Sequence, residues 1–316
     1  MKGKTVLFTG ASRGMGRIAA IRLAELGAKI IVVGHDDTRG SDAVDAIQNT
    51  GGSAEFLHAD IGDASEVSAL AQKVLSNHNS IHVLIHSAGG LAAPEARTRE
   101  GVDRGFAQNF LGGFLLTRLL EKRLLASAPA RVIAVTSSVH KGVKKVEELD
   151  EFLHPDPNSP HMSSLQKGNY QMHSYRAAKF ALTAWMYGLA SNWAGCGVTA
   201  NILDPRIVKS KLGENFEGPA VMGFLMGRLI PFFAAPGPDR GSKQYVRLAA
   251  DPALADVSGM YFVSGKEKNE GSSTLARDPS AQKEVDDLAE AWARPFLSAF
   301  PTSLEAAPPN VQPVRY

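Results

Sequence analysis

The fold is decided by one stretch, TGASRGMG at residues 9–16. It follows a short apolar run, Thr5–Thr9, and precedes a helix-length segment, Gly14–Leu26. Glycines let backbone N–H groups approach a pyrophosphate closely, and a helix N-terminus carries a partial positive charge. A glycine pattern alone is weak evidence, but a strand before it and a helix after it supply the required context. The residues predicted to contact a dinucleotide here are Gly10, Ser12, Arg13, Gly14, Met15 and Gly16.

Short β-branched runs alternate with helix-length segments along the chain. The predicted strands are Thr5–Thr9, Lys29–Val33, Ala54–His58, His82–His86, Arg131–Thr136, Val198–Leu203 and Met260–Val263. Most of them are continuously apolar, as strands buried on both faces should be. Strand–helix alternation implies right-handed crossovers. We therefore predict an α/β fold: a Rossmann-type, doubly wound parallel sheet of about seven strands with helices on both faces. It forms a single domain over residues 1–297, followed by a C-terminal tail at 298–316.

Composition narrows the classes of function. The 316 residues include 34 basic and 32 acidic side chains, and the net charge of +2 gives no reason to expect nucleic-acid binding. Cys196 is the single cysteine, which excludes an internal disulfide and indicates a reducing compartment. The N-terminus resembles a strand rather than a signal peptide. The longest apolar stretch, Ala220–Ala235, is interrupted by Arg228 and Pro231, so we predict no membrane span and a soluble, cytoplasmic protein.

Two regions interrupt the alternation of strands and helices. Residues 139–171 are polar and proline-containing, and we predict a long inserted loop there. Residues 208–238 include an apolar segment rich in Phe, Met and Gly, which we interpret as a substrate lid. The histidines of the first region, His154, His161 and His173, lack recognisable ligand spacing, so no metal site is predicted.

A tyrosine and a lysine have the spacing of a catalytic pair. Tyr175 and Lys179 lie four residues apart in a segment predicted as a helix running to Ala194, which puts them on one face. A phenol has an ordinary pKa near 10 and is a poor base at neutral pH. A neighbouring ammonium and a positive nicotinamide ring both favour phenolate and are expected to lower the pKa of Tyr175. The tyrosine is thus a candidate acid/base.

Taken in order, these motifs resemble the short-chain dehydrogenase/reductase family. Thr9, Gly10, Gly14 and Gly16 match its TGxxxGxG loop, and Tyr175 with Lys179 match its Tyr-x-x-x-Lys motif. Further matches follow the third strand at Asp60-Ile61 and the fourth at Ser87-Ala88-Gly89, where the family often reads Asn-Asn-Ala-Gly after the strand. The resemblance implies that Asp60 and Ile61 hold the adenine and that Ser87, Ala88 and Gly89 line the cofactor site.

The resemblance also implies the remaining site residues. A serine after the fifth strand holds the substrate oxygen; we choose Ser138, with Ser137 as the alternative, because a small apolar residue usually follows it. Asn109 matches an asparagine that links a water chain to the lysine. The nicotinamide would meet Pro205, Val208 and Ser210. Arg206 replaces a glycine of the family there. Its side chain is expected either to turn to solvent or to face an anionic group of the substrate.

Cofactor selectivity follows from charge at the end of the second strand. An acidic residue there would bind the ribose 2′-hydroxyl and repel a 2′-phosphate. This chain has Gly34, His35 and Asp36, and Arg13 projects from the glycine loop. Arg13 and His35 favour NADP(H), whereas Asp36 keeps NAD(H) as an alternative.

The second half of the chain resembles the retinol dehydrogenase-like branch, in the segments 110–117 and 257–262. The resemblance implies an alcohol dehydrogenase or carbonyl reductase acting on a small molecule, which the charges above make NADP(H)-dependent, and it leaves the substrate open. The Phe and Met residues of the lid predict a bulky, apolar substrate in contact with Met222 and Phe224, unless the segment is a core helix or a subunit interface. The resemblance also allows a homodimer through the helices that carry Asn109 and Tyr175. Two other readings remain: an epimerase or dehydratase that oxidises transiently, and a non-catalytic dinucleotide-binding scaffold.

Overall fold

The computed structural model describes residues 1–156, 167–206 and 237–301. The strands are β1 (Thr5–Thr9), β2 (Lys29–Gly34), β3 (Ser53–His58), β4 (Val83–His86), β5 (Ala130–Val135), β6 (Val198–Asp204), β7 (Tyr261–Val263) and β8 (Lys266–Glu267). The α-helices are α1 (Gly14–Glu25), α2 (Asp37–Gln48), α3 (Ala64–Asn77), α4 (Arg104–Phe106), α5 (Gly112–Ala126), α6 (Asp150–Leu153), α7 (Lys167–Asn192), α8 (Pro238–Ala250) and α9 (Pro279–Ala299). A π-helical turn, Ala107–Leu111, joins α4 to α5.

The strands form one sheet in the order β3-β2-β1-β4-β5-β6-β7-β8. Strands β1 to β7 pair in parallel, and β8 pairs antiparallel with β7. The predicted doubly wound parallel sheet is confirmed. The eighth strand was missed because two residues, Lys266 and Glu267, carry too little pattern to be recognised.

The strands are apolar along their length because helices cover both faces of the sheet. On one face, α1, α2 and α8 bury a core that includes Phe8, Ile30 and Leu248. On the other, α3, α5, α7 and α9 bury a larger core that includes Phe114 and Trp185. Burial on both sides removes the polar face that an alternating strand would need.

The sheet brings four chain segments to one edge. Thr9 pairs with His86, His86 with Ala134, and Val135 with Leu203, so the carboxyl ends of β1, β4, β5 and β6 lie side by side. In an open α/β sheet ligands bind outside these ends, where the strand order reverses. The loops that follow the four strands therefore surround one candidate site.

The interval 139–171 is not a single loop in its described parts. It includes 3-10 turns at Ser138–Gly142 and Val146–Leu149 and the helix α6. The helix α7 begins at Lys167, eight residues before Tyr175. Buried Val146, Leu149 and Phe152 anchor these turns to the core. The loop prediction missed them because it was based on the polar composition of the whole interval.

The C-terminal helix covers the helices on which the homodimer prediction depended. The structure packs α9 against both α5 and α7, through a buried row that includes Val285, Ala289 and Ala293. The helix runs to Ala299, two residues past the predicted domain end at 297. Among the described helices, none combines the length and apolarity needed to cross a membrane.

Candidate functional site

The glycine loop leads into α1 without supplying a side-chain cap for the first turn of the helix. No side chain caps the N-terminus of α1 and no acidic residue lies in its first turn, whereas Asp36 caps α2 and Asp63 caps α3. A Cβ at Gly16 would lie 2.4 Å from the carbonyl oxygen of Gly10, so the loop admits no side chain there. Free N–H groups with a helix dipole behind them form an anion site. The cradle thus fits the pyrophosphate of a dinucleotide.

The loop after β4 is held against the glycine loop. The Thr9 hydroxyl accepts hydrogen bonds from the backbone N–H groups of Ser87 and Ala88 at 3.2 and 3.3 Å. A Cβ at Gly10 would meet the Ala88 nitrogen at 2.7 Å. The Ser87 hydroxyl is 2.8 Å from the hydroxyl of Tyr245, a buried residue of α8. Sequence reasoning missed Tyr245, since nothing local marks a contact across 158 positions.

Gly89, Asn109 and Lys179 meet at the next corner of the site. A Cβ at Gly89 would lie 2.2 Å from Asn109 Oδ1 and 3.6 Å from Lys179 Nζ. The Asn109 amide donates to the carbonyls of Gly90 and Gly105 at 2.8 Å, and its Oδ1 accepts from Gly90 N–H at 3.1 Å. Asn109 is at the centre of the π-helical turn, a local distortion common at functional sites. Its amide protons are used on backbone carbonyls, and its role in a water chain stays a prediction.

Asp60, the aspartate predicted to hold the adenine, already has partners within the protein. Asp60 accepts from the N–H of Gly62 at 2.9 Å and forms an ion pair with Arg104. An ionised carboxylate has about four lone-pair sites, so these partners leave room for a further donor. Ile61 is buried beside it. Arg104, which sequence reasoning did not single out, thus adds a positive charge at the predicted adenine position.

Asp36, the acidic residue that kept NAD(H) as an alternative cofactor, is hydrogen-bonded and ion-paired within the protein. Asp36 caps α2 by accepting from Arg39 N–H at 2.9 Å, and its other oxygen is 3.2 Å from Arg39 Nε. These contacts, first of all the backbone hydrogen bond, lower the pKa of Asp36. His35, just before the start of α2, and Arg13, in the glycine loop, are both exposed. Arg39 was missed because its importance depends on this capping geometry.

Tyr175 and Lys179 lie on the sheet-facing side of α7. They are 8% and 5% exposed, and Lys179 Nζ is 5.5 Å from the centre of the Tyr175 ring. The ammonium donates to the Val135 carbonyl, at the end of β5, at 2.9 Å. Burial lowers the pKa of Lys179 to about 8. The predicted i,i+4 pair therefore reaches the carboxyl edge of the sheet, with the lysine anchored to β5.

The protein's own groups raise the pKa of Tyr175, whereas the predicted lowering also included the charge of a bound nicotinamide ring. Burial raises the pKa, and the nearby Asp204 carboxylate and Tyr245 raise it further, while a hydrogen bond with Ser137 lowers it. The Lys179 ammonium lies 5.5 Å from the centre of the ring and also donates to the Val135 carbonyl. The protein's own residues thus keep Tyr175 protonated, as a proton donor requires.

Ser137 and Ser138 both follow β5, and the choice of Ser138 as the catalytic serine stays a prediction. Ser137 has extended backbone, and Ser138 begins the 3-10 turn that follows β5. Hydrogen bonding by Ser137 acts to lower the pKa of Tyr175, and the Ser137 carbonyl accepts from His140 Nδ1 at 2.7 Å. The alternative residue, Ser137, is therefore the one beside the tyrosine.

We expect Ser137→Ala to lower kcat/KM about tenfold, because one hydrogen bond to the reacting pair is lost. Ser138→Ala, one position away and equally half-buried, should stay within about twofold of the wild type. Steady-state kinetics of both variants would decide the assignment. A larger loss in Ser138→Ala would restore the residue chosen from the sequence.

The residue after Pro205 explains why the family has a glycine at this position. Arg206 has φ = 63°, and its N–H donates to Asp204 Oδ1 at 2.8 Å. A non-glycine residue is strained in this left-handed region. The Arg206 side chain is exposed.

Arg206→Gly should therefore stabilise the fold by about 1 kcal/mol, raising Tm by about 2 °C. Arg240→Gly, on the exposed surface of right-handed α8, should instead destabilise it by a similar amount. Thermal unfolding of both variants tests the contrast. An unchanged or lower Tm for Arg206→Gly would contradict the strain argument.

The remaining predicted positions lie outside the described residues: Val208, Ser210, Met222 and Phe224. Over the described ranges no group of three or more His, Cys, Asp or Glu side chains could hold a metal ion. The residues that are described fit a dinucleotide: an uncapped helix start, glycines without room for a Cβ, and a tyrosine–lysine pair at the same edge.

This fold and site define a dinucleotide-dependent oxidoreductase, and known proteins agree. The family model described as short chain dehydrogenase matches residues 4–147. Retinol dehydrogenase 14 of Mus musculus is 31% identical over 92% of this chain and 86% of its own. Polyprenol dehydrogenase of Homo sapiens is 30% identical over 84% of this chain and 78% of its own. The chain belongs to the short-chain dehydrogenase/reductase family, in its retinol dehydrogenase-like branch.

A solved structure is similar in fold. A putative NAD(P)-dependent gluconate 5-dehydrogenase from Beutenbergia cavernae, with bound NADP at low occupancy, has a TM-score of 0.64 and 25% identity. The match covers 84% of this chain and 96% of that one. These relatives support an alcohol-type oxidoreductase with a nicotinamide dinucleotide as cofactor.

Proposed function

We propose that the protein is an NADP(H)-dependent oxidoreductase that moves a hydride between nicotinamide and a carbonyl or alcohol, with Tyr175 as acid/base. The observation that carries the proposal is the meeting of Tyr175, Ser137 and Lys179 at the sheet edge beside the glycine cradle. The nicotinamide, when bound, supplies or accepts the hydride.

The protein's residues supply the proton and hold it in place. In reduction, the Tyr175 hydroxyl donates a proton to the oxygen that gains charge. Ser137 orients that hydroxyl, and the Lys179 ammonium stabilises negative charge that develops on the phenol. Burial of the pair excludes water, which strengthens each of these interactions.

NADP(H) is proposed over NAD(H) on the charges around the start of α2. Asp36 is engaged by the helix N-terminus and by Arg39, so its charge is largely balanced. Arg13, His35 and Arg39 are exposed there and can meet a 2′-phosphate. The likeness to a chain with bound NADP is in keeping with this choice.

The proposed substrate is a bulky, largely apolar small molecule. Relatives named for retinol and polyprenol support that class, and the segment 208–238 is rich in Phe and Met.

We propose a cytoplasmic location on the basis of the single cysteine, Cys196. A homodimer through α5 and α7, on which α9 also packs, stays a prediction.

The test is NADPH oxidation against a panel of aldehydes and ketones, from small hydrophilic ones to retinal-sized and polyprenal-sized ones. Turnover should rise with apolar size and should depend on Tyr175. Isomerisation or dehydration without net NADPH oxidation would indicate the epimerase or dehydratase reading. Cofactor binding with no turnover on any substrate would indicate a scaffold.

A further inference from the structure

A buried histidine lies behind the turn that follows β5. His140 is fully buried, and it belongs to the 3-10 turn Ser138–Gly142. Its backbone N–H and its Nδ1 both reach the Ser137 carbonyl, at 3.1 and 2.7 Å. On the other side of the ring, Nε2 is 3.0 Å from the N–H nitrogen of Ser273 and 3.4 Å from the Ser272 hydroxyl. The imidazole therefore bridges two segments that are distant along the chain.

The partners of this ring fix its protonation state. The Ser137 carbonyl can only accept, so Nδ1 carries a proton; the Ser273 N–H can only donate, so Nε2 carries none. Burial lowers the pKa of His140 and so disfavours the charged ring, in which Nε2 has no lone pair to offer. The neutral Nδ1–H tautomer is thus the one that satisfies both neighbours.

One end of the bridge lies at the two candidate serines. Ser137 has extended backbone and Ser138 begins the turn, so the peptide unit between them sets the direction in which both hydroxyls leave the chain. The carbonyl of that peptide unit is the one that His140 holds twice. Two residues earlier, the Val135 carbonyl binds the Lys179 ammonium. The held turn therefore continues directly from the strand end that anchors the lysine.

The other end of the bridge lies in the segment that leads into α9. Ser272 and Ser273 are buried between β8 and α9, and the turn Leu275–Arg277 that follows them packs on α7. The ring of Tyr261, in β7, lies 5.5 Å from the imidazole, centre to centre. A ring packed on one side and hydrogen-bonded at both nitrogens has little freedom to rotate. The histidine is thus held by a packed part of the fold.

We infer that His140 is a positioning residue, which holds the turn carrying Ser137 and Ser138 in its reactive geometry by anchoring the Ser137 carbonyl to the segment before α9. The inference rests on the proposed function, and it holds for whichever of the two serines meets the substrate. His140 transfers no proton itself, because both of its ring nitrogens are engaged within the protein.

Two substitutions separate the two ends of the bridge. His140→Asn places an amide donor near the position of Nδ1 and loses the acceptor for Ser273, whereas His140→Gln places an acceptor near the position of Nε2 and loses the donor for Ser137. We expect His140→Gln to lower kcat about tenfold, since one hydrogen bond that orients the turn is lost. His140→Asn should retain most of the turnover. The NADPH Kd should stay within about twofold in both variants.

Turnover is expressed per NADPH-binding site, counted by fluorescence titration, so that a smaller folded fraction is not mistaken for slower chemistry. His78→Gln is the matched control, because it removes another buried imidazole, at the end of α3. It should keep near-normal turnover per site.

A double-mutant cycle tests whether the histidine acts through a serine. The background is Ser137→Ala or Ser138→Ala, whichever loses more activity. Adding His140→Gln to it should lower kcat by less than about twofold further, because the hydroxyl that the turn positions is already absent. A histidine that only supports the fold would cost its full factor again in this background.

Near-normal turnover per site in His140→Gln, equal losses in the two histidine variants, or a full further loss in the double variant would each overturn the inference. Absence of NADPH binding in both histidine variants would make His140 an element of folding alone and would overturn it as well. A wild type that reduces no carbonyl with NADPH would instead refute the proposed function. In that case the ¹⁵N spectrum of the imidazoles, from which His140→Gln should remove an Nδ1–H tautomer signal, still reports whether the bridge is present.

Discussion

Tyr175→Phe should lower turnover by at least about 100-fold, the low end of what a positioned acid/base contributes. The phenylalanine ring fills the same buried space, and only the hydroxyl that bonds Ser137 is lost. NADPH should bind the variant as it binds the wild type, because the glycine cradle is untouched. Single-turnover and steady-state kinetics with the best carbonyl of the panel measure the loss.

The lysine is expected to be equally important. Lys179→Ala should lower turnover by a similar factor, because it removes the ammonium and its bond to the Val135 carbonyl. Lys179→Met keeps the length of the side chain and separates the loss of charge from a packing defect. Tyr187→Phe, a buried tyrosine three turns along the same helix, is the control and should keep near-normal turnover. Near-normal turnover in Tyr175→Phe would refute the proposed role of Tyr175 as acid/base.

Arg13→Ala should erase most of the preference for NADPH over NADH. A charge-assisted hydrogen bond to phosphate contributes about 1.5–3 kcal/mol, so the NADPH Kd should rise roughly tenfold to a hundredfold. Affinity for NADH should change little, because NADH lacks the 2′-phosphate. Fluorescence titration with each cofactor measures both constants without any knowledge of the substrate.

Arg17→Ala is the matched control for the loss of a positive charge. Arg17 lies one turn further along α1 and donates to the Asp42 carbonyl at 2.9 Å, so its removal should affect both cofactors alike. Raising the ionic strength should narrow the wild-type preference, since the contact is exposed. Equal affinities of the wild type for NADPH and NADH at low salt would refute the assignment.

Local patterns were sufficient for the fold. The run Thr5–Thr9, the glycines after it and the segment from Gly14 predicted a strand, a turn and a helix, and all three are present. The i,i+4 spacing of Tyr175 and Lys179 likewise predicted one helix face. These predictions succeed because backbone periodicity and glycine sterics act over a few neighbouring residues.

The direction of the Tyr175 pKa could not be obtained in this way. Sequence reasoning counted the lysine four residues away and the nicotinamide ring, whereas burial first and then Asp204, from another strand, raise the pKa of Tyr175 in the protein itself. The choice between Ser137 and Ser138 is also beyond local patterns. Two adjacent serines differ only in where the chain turns after β5, and the 3-10 turn at Ser138–Gly142 depends on contacts of His140 with Ser272 and Ser273.

The sequence by itself determined the class of fold, the position of the dinucleotide cradle and the identity of the tyrosine–lysine pair. Tertiary structure decided how the charged groups are held: Asp36 is engaged by Arg39 and the start of α2, and Asp204 is held by Tyr261. The physical reason is the distance along the chain over which each effect acts. Steric and hydrogen-bonding preferences of the backbone are local, but electrostatic effects depend on burial and on distances between elements that only the packed sheet brings together.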